Sequence, residues 1–317
     1  MPRGHRILVT GASGFVGRAL VAALASRGAS VRAAVRQPPP YSFAGGVEVM
    51  PHADLAQAFD WRPLLDGIDQ IVHLAGIAHA GGSITATRYD QINRQATARL
   101  AAAAKRAGIA HLVLVSSIRA QSGPAADAVL TERHPAAPTD AYGRSKLTAE
   151  DEVRGSGAPF TILRPVVLYG PGAKGNFALL QRAARSRWPL PLKRFVNRRS
   201  LLGIDNLVSA LDFVLGEPAT RGETYVVADP GPALRLADVV TTLRAAEQRR
   251  ARLLPLPGGL IELPLRLAGR SDLWERLGGD LTVDPGKLIA AGWRPAHDTR
   301  RGLALLAQAT ALRSASA

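Results

Sequence analysis

Ile7-Leu8-Val9-Thr10-Gly11-Ala12-Ser13-Gly14-Phe15-Val16-Gly17 decides how this chain is read. A short apolar run, three glycines spaced three apart and an Ala- and Leu-rich stretch up to Gly28 spell strand, tight turn, helix. Phosphate oxygens reach backbone N–H groups only where no side chain stands in the way. Gly11 and Gly14 give that access, and a helix opening at Phe15 turns its positive end toward the same point. Gly17 lets the helix lie close against the strand. The pattern is GxxGxxG rather than the commoner GxGxxG, and its position between strand and helix gives it meaning. Gly11, Ser13, Gly14, Phe15, Val16 and Gly17 are therefore expected to cradle the pyrophosphate of a dinucleotide.

Outward from this turn the rhythm repeats. Strands are expected at 6–10, 31–36, 47–50, 70–74, 112–116 and 160–163, with helices at 15–27, 61–65, 93–107 and 142–154. Such alternation predicts an α/β fold, a doubly wound, Rossmann-like parallel sheet. Beyond Pro165 the rhythm breaks: a turn cluster Tyr169-Gly170-Pro171-Gly172, an amphipathic helix at 177–187 and a further strand at 224–227. Residues 1–166 are assigned to a dinucleotide-binding domain to which 201–230 partly return. Residues 167–200 and 231–317 are assigned to a smaller α/β substrate domain.

At 317 residues and 47% apolar content a packed core is expected, and no apolar run reaches membrane-spanning length. The opening Met1-Pro2-Arg3-Gly4 leads directly into the first strand, so a cytoplasmic protein is expected. Absence of Cys excludes disulfides and thiolate metal sites, and no His cluster has ligand spacing, so no metal is expected. The net charge of +15 admits nucleic acid, an anionic membrane or phosphate-bearing small ligands as partners. Scattered Arg residues and only 5% aromatics argue against nucleic acid. The segment 260–277, apolar with interspersed Arg, reads as a packing helix, with a membrane-surface helix as the alternative.

A second motif lies far downstream. Tyr142 and Lys146 share one helix face, and Ser116-Ser117 ends the fifth strand. A phenol with a pKa near 10 is a poor base at neutral pH. A nearby ammonium, together with an oxidised nicotinamide ring, favours the phenolate. Ser117 can hydrogen-bond the same substrate oxygen, so Tyr142 exchanges a proton while hydride moves at carbon. The second strand ends in Arg36, not in the carboxylate that usually holds ribose hydroxyls. A guanidinium fork suits a 2′-phosphate, so NADP is favoured over NAD as cofactor. Asp54 and Leu55 follow the third strand and are read as adenine contacts, with a helix cap at Asp54 as the alternative.

Together these pieces resemble the extended short-chain dehydrogenase/reductases of the NAD-dependent epimerase/dehydratase family. The resemblance rests on Thr10 to Gly17, His73-Leu74-Ala75-Gly76, Asn93, Ser116-Ser117, Tyr142 to Lys146, and Arg164-Pro165 with Tyr169 to Gly172. It implies catalytic Ser117, Tyr142 and Lys146. It also implies a mainly structural Asn93 beside the cofactor, with Leu74, Ala75, Gly76, Pro165, Tyr142 and Lys146 contacting it. Asn197 to Asn206 is similar to the segment that holds a sugar-linked diphosphate, with Arg199 at the diphosphate position. Lys174-Gly175-Asn176-Phe177 resembles the stretch that meets the sugar nucleotide, with Asn176 as donor, and Pro189 to Leu192 is expected near the base. A nucleotide-sugar substrate and a homodimer through helices 93–107 and 142–154 are implied by the same resemblance. The leading expectation is NADPH-dependent reduction of a UDP-4-keto-6-deoxy-hexosamine. The alternatives are a UDP-sugar 4-epimerase with tightly bound NAD, a small-molecule ketone reductase, and a non-catalytic cofactor sensor.

Overall fold

The computed structural model describes residues 5–43, 45–77, 84–173, 175–256 and 278–315, with the single positions 259 and 267. Apolar runs without polar alternation form strands buried on both faces. They appear here as β1 (Arg6–Thr10), β2 (Ser30–Val35), β4 (Gln70–His73), β5 (His111–Val115) and β6 (Phe160–Pro165), while β3 (Glu48–Pro51), at the sheet edge, alternates half-buried and exposed. Between them run α1 (Phe15–Ser26), α2 (Arg62–Leu65), α3 (Ala86–Tyr89), α4 (Ala96–Arg106) and α5 (Ala141–Gly155). A π turn, Asp90–Gln95, leads into α4, so helical winding starts ahead of the expected 93.

Downstream come β7 (Val167–Tyr169), α6 (Gly175–Arg185), β8 (Arg198–Arg199), β9 (Leu201–Gly203), α7 (Ile204–Gly216) and β10 (Glu223–Val227). The chain continues through β11 (Leu234–Arg235), α8 (Leu236–Ala246), α9 (Gly286–Ala290) and α10 (Thr299–Ala315). Seven parallel strands form the main sheet in the order β3-β2-β1-β4-β5-β6-β10. This is the doubly wound, Rossmann-like sheet. Its strand order reverses between β1 and β4, which opens a crevice at the carboxyl ends of those strands.

One apolar cluster joins α1 and α7 to one face of the sheet, with Leu20, Leu24, Leu207 and Leu211 at its centre. A second joins α2, α4 and α5 to the other face through Leu64, Leu100, Ala104 and Val153. A third gathers Tyr169, Phe177, Val240, Leu243, Leu303 and Leu306 beyond the sheet. Two small pairings, β7 with β9 and β8 with β11, stitch this part together.

Beside β6 lies a buried ion cluster. Glu150 of α5 has no exposed surface. Its carboxylate accepts from Ser116 Oγ at 2.5 Å, from Arg164 Nε and Nη2 at 2.9 and 2.6 Å, and from Arg154 Nη2 at 2.8 Å. Arg164 Nη1 also reaches Gln121 Oε1 at 3.1 Å, tying the loop after β5 to the cluster.

Candidate active site

The glycine turn has the shape its sequence requires. Gly11 sits at φ +67°, and a Cβ there would come 2.8 Å from the Ala75 backbone nitrogen. A Cβ on Gly17 would lie 2.2 Å from the Gly11 carbonyl oxygen, so only glycine lets α1 approach β1. Gly14 N–H donates to the Gly11 carbonyl at 3.0 Å and closes the turn. Gly14 is also the N-cap of α1 and brings no side-chain cap. The N–H groups of Phe15, Val16 and Gly17 therefore have no intrahelical acceptor. A cradle of backbone donors that any Cβ would fill is what a pyrophosphate fits. Two residues missed in the sequence tie the exposed segment after β2 to this turn. Tyr41 donates to the Ser13 carbonyl at 3.5 Å, and the Arg18 guanidinium lies 5.7 Å from the Tyr41 ring centre.

The two arginines of β2 and its end part company. Arg32 is buried, holds Glu48 at 2.8 Å and donates to the carbonyls of Leu64 and Asp66. Arg36 lies exposed just past the strand. Asp54 accepts from Ala56 N–H at 2.9 Å and from Arg88 Nη2 at 2.8 Å, so it makes an Asx turn rather than a helix cap. These two bonds hold its carboxyl below the usual range, with Arg36 adding a smaller pull from across the rim. Leu55 is buried in the cluster under α4.

The segment after β4 is fixed from behind. Asn93 is buried; its Oδ1 accepts from Ile77 N–H at 2.8 Å, and its Nδ2 donates to the Ile77 carbonyl at 3.2 Å and to Ser145 Oγ at 3.0 Å. A Cβ at Gly76 would stand 2.9 Å from Asn93 Oδ1, so a side chain here would crowd that amide. Leu74 and Ala75 follow Thr10 closely: Leu74 N–H donates to the Thr10 carbonyl at 3.3 Å and Ala75 N–H to Thr10 Oγ1 at 3.3 Å.

His73 sits beneath them. Thr97 Oγ1 gives its proton to the Asn93 carbonyl at 2.6 Å, so it accepts from His73 Nε2–H at 3.0 Å. Nδ1 then accepts from Thr10 Oγ1 at 2.7 Å, which makes the ring the neutral Nε2–H tautomer. Burial pushes its pKa from 6.5 down to about 3. The unfolded chain therefore binds this proton as pH falls below 6.5, whereas the folded chain takes it up only near 3. Stability supplied by the neutral ring is present above pH 6.5 and drains away as pH falls to 3. His111, pushed to about 4 by burial, acts in the same direction. We expect urea midpoints of the wild type to fall steeply between pH 6.5 and 4. A His73→Gln chain should show a shallower slope, and equal slopes would exclude His73 as a cause.

Tyr142, Ser117 and Lys146 come together at the carboxyl end of β5. Asp140 caps α5 by accepting from Gly143 N–H at 2.7 Å, which sets Tyr142 in the first turn. Ser117 hydrogen-bonds the Tyr142 side chain. The Tyr142 pKa is raised, chiefly by burial; the Ser117 bond and the Arg119 charge pull it down, while Tyr89 and Asp140 push it up. The expected phenolate is thus not favoured by the protein alone. Lys146 is buried, and its Nζ donates to the Val115 carbonyl at 2.9 Å. Burial lowers its pKa to about 8, with Glu150 opposing. An ammonium has three donors, so capacity remains for ribose hydroxyls. Arg119, paired with Asp140 at 2.7 Å, and Tyr89, 5.7 Å from the Tyr142 ring, escaped the sequence reading. Asp140 was findable: it is a capping residue directly before an expected helix.

The substrate-side residues are less gathered. Arg199 lies in β8, half-buried, and donates from Nη2 to the Pro124 carbonyl at 3.1 Å, which places it against the loop that follows Ser117. Pro165 ends β6 opposite Val227. The backbone of Asn176 belongs to α6, while its side chain and the whole of Lys174 fall outside the described residues. Within 189–192, Leu190 pairs with Leu253. The segment 260–277 also falls outside the described residues, Leu267 excepted.

Comparison with known proteins follows the same lines. The model of the NAD dependent epimerase/dehydratase family matches residues 7–228. A UDP-glucose 4-epimerase of Vibrio cholerae is 32% identical over 98% of this chain and 96% of its own. A ceramide reductase of Caulobacter vibrioides is 34% identical over 65% of this chain and 59% of its own. The solved structure of MoeE5 in complex with UDP-glucose and NAD superposes with a TM-score of 0.77 at 23% identity, covering 98% of this chain and 100% of that one. With its glycine turn, its Ser117, Tyr142 and Lys146 group and its parallel sheet, this enzyme is an NAD(P)-dependent short-chain dehydrogenase/reductase and belongs to the NAD-dependent epimerase/dehydratase family.

Proposed function

We propose that this enzyme is a 4-epimerase acting on C4 of a UDP-linked hexose or hexosamine. The observation that carries the chemistry is the Ser117–Tyr142 hydrogen bond beside buried Lys146. The epimerase reading is favoured by the Vibrio cholerae relative, whose match spans nearly both chains. The bound dinucleotide supplies the hydride acceptor and donor. Tyr142 takes the C4 hydroxyl proton as the C4 hydride departs, and returns a proton to the same oxygen when hydride arrives on the opposite face. Ser117 steadies that oxygen by hydrogen bonding. The Arg119 charge and the Ser117 hydrogen bond help the phenol release its proton, and buried Lys146 would add positive charge on the cofactor side. Arg199 pairs with the diphosphate as a charge-assisted fork, and Asn176 serves the sugar side.

A second reading, NADPH-dependent 4-keto reduction, is favoured by Arg36, the exposed guanidinium past β2. NADP preference belongs to that reading, with Asp54 and Leu55 near the adenine. The remaining parts of the proposal are a cytoplasmic homodimer through α4 and α5, a dinucleotide-binding domain over 1–166 and a substrate domain over 167–200 and 231–317. Among the described residues no helix is long and apolar enough to cross a membrane.

The purified enzyme should be incubated with UDP-glucose and UDP-N-acetylglucosamine and the sugars followed by NMR, with absorbance at 340 nm recorded in parallel on a UDP-4-keto-6-deoxy-hexosamine. Appearance of the C4 epimer without net cofactor consumption is the expected result. NADPH consumption on the keto sugar, without epimer formation from either UDP-sugar, would replace the epimerase by the reductase.

A further inference from the structure

The end of α6, the loop behind it and the segment after α8 share one surface. Residues 175–200 carry seven Arg or Lys and no Asp or Glu. The stretch 247–256 adds Arg249, Arg250 and Arg252 against a single acid, Glu247. The two stretches are joined by backbone: Leu190 N–H donates to Arg252 O at 3.0 Å, Leu254 N–H to Leu190 O at 2.8 Å, and Lys193 N–H to Leu254 O at 3.2 Å. Arg249 donates to the Arg185 carbonyl, and Arg244 donates to the Trp188 carbonyl from behind at 2.9 Å. Leu190, Leu192 and Leu253 of this ladder turn inward, against the third apolar cluster. Arg252, Leu254 and Lys193 are exposed on the other side.

Large apolar side chains stand exposed on this basic ground. Trp188 is 69% exposed, and Leu254 and Leu256 are exposed as well. The Arg187 guanidinium lies 6.0 Å from the Trp188 ring centre. Glu247 is already occupied by Arg185 and Arg249, at 3.6 and 3.3 Å, so it leaves the surface positive. An exposed indole with a guanidinium beside it, on a surface rich in Arg and Lys, fits an interface with an apolar interior and anionic rim. Its aliphatic neighbours offer no stacking face for bases.

We propose that this surface docks the enzyme peripherally on an anionic phospholipid bilayer, with Trp188, Leu254 and Leu256 entering the headgroup layer and Arg187, Lys193 and Arg252 meeting lipid phosphates. Electrostatic attraction worth about five-fold per basic residue, added to a shallow apolar insertion, gives reversible, salt-sensitive binding.

The full chain should be sedimented with vesicles of phosphatidylcholine alone and of phosphatidylcholine mixed with phosphatidylglycerol. Binding to the mixed vesicles, lost in high salt, is expected, with little binding to the neutral ones. A chain bearing Arg187→Gln, Lys193→Gln and Arg252→Gln should bind about a hundred-fold more weakly. All three positions are exposed, and an unchanged circular dichroism spectrum checks that the fold is kept. Brominated lipid should quench a fraction of the Trp fluorescence that disappears in Trp188→Phe. Equal binding to neutral and anionic vesicles, or no binding to either, would overturn the proposal. So would Trp188→Ala binding vesicles as the wild type does while duplex RNA displaces both, since that would mark a general polyanion site.

Discussion

Tyr142→Phe should lower turnover by about 10²–10⁴-fold, the usual contribution of a positioned proton-transfer group, with the fold and cofactor affinity unchanged. The substitution removes one oxygen and keeps the ring. The contact with Tyr89, 5.7 Å between ring centres, and the capped first turn of α5 both survive. What is lost is the hydroxyl bonded to Ser117, the one group here with both a protonatable oxygen and neighbouring positive charge. Burial holds that hydroxyl protonated in the protein alone, against the pull of Ser117 and Arg119, and the charge of an oxidised cofactor would supply the rest. Steady-state rates on the accepted UDP-sugar, with dinucleotide affinity measured separately by fluorescence, separate chemistry from binding. Turnover within two-fold of the wild type would remove Tyr142 from proton transfer.

Glu150→Leu should destabilise the protein by about 3–5 kcal/mol, the cost of breaking a buried ion pair and leaving one partner charged. Glu150 is fully buried and Arg164 is 6% exposed, so the stranded guanidinium would have almost no water to turn to. Arg154, more exposed, would be released to solvent at little cost. The double change Glu150→Leu with Arg164→Met should recover much of the loss, because a filled apolar pair need not be worse than a buried ionic one. Urea unfolding of the three chains at neutral pH tests this. A loss below 1 kcal/mol in the single variant would show that the cluster is not the anchor of α5 on β6. Ser116 also bonds Glu150 and is the neighbour of Ser117, so turnover should fall in the single variant too.

The main sheet was readable because its central strands are buried on both faces: Ile7 to Val9 and Leu112 to Leu114 are uninterrupted apolar runs. Tyr142 and Lys146 were readable because helical spacing alone aligns them. The Glu150–Arg164 pair was not, since residues fourteen apart on separate elements meet only once α5 has packed on β6. Arg32 and Arg36 look alike in sequence, yet Arg32 falls within β2 beside Glu48 and is buried, whereas Arg36 falls just past the strand end at the rim. Strands as short as β8 and β11, two residues each, carry no period to detect. Asn93 was recognised by resemblance, but its clamp on Ile77 depends on backbone geometry that no pattern of side chains reveals.

The outermost strand of the sheet is also the last of it to be made. β10 lies parallel to β6 and covers its edge from Glu223 to Val227, although β6 ends at Pro165. During synthesis at roughly 5–20 residues per second, β6 waits several seconds for its neighbour with its ladder of N–H and C=O groups open to other chains. The first six strands of the sheet are therefore not a module that matures alone on the ribosome. The intervening α6 to α7 stretch has to be threaded out and folded back first, and the yield of soluble enzyme becomes a race between the arrival of residue 227 and edge-to-edge association.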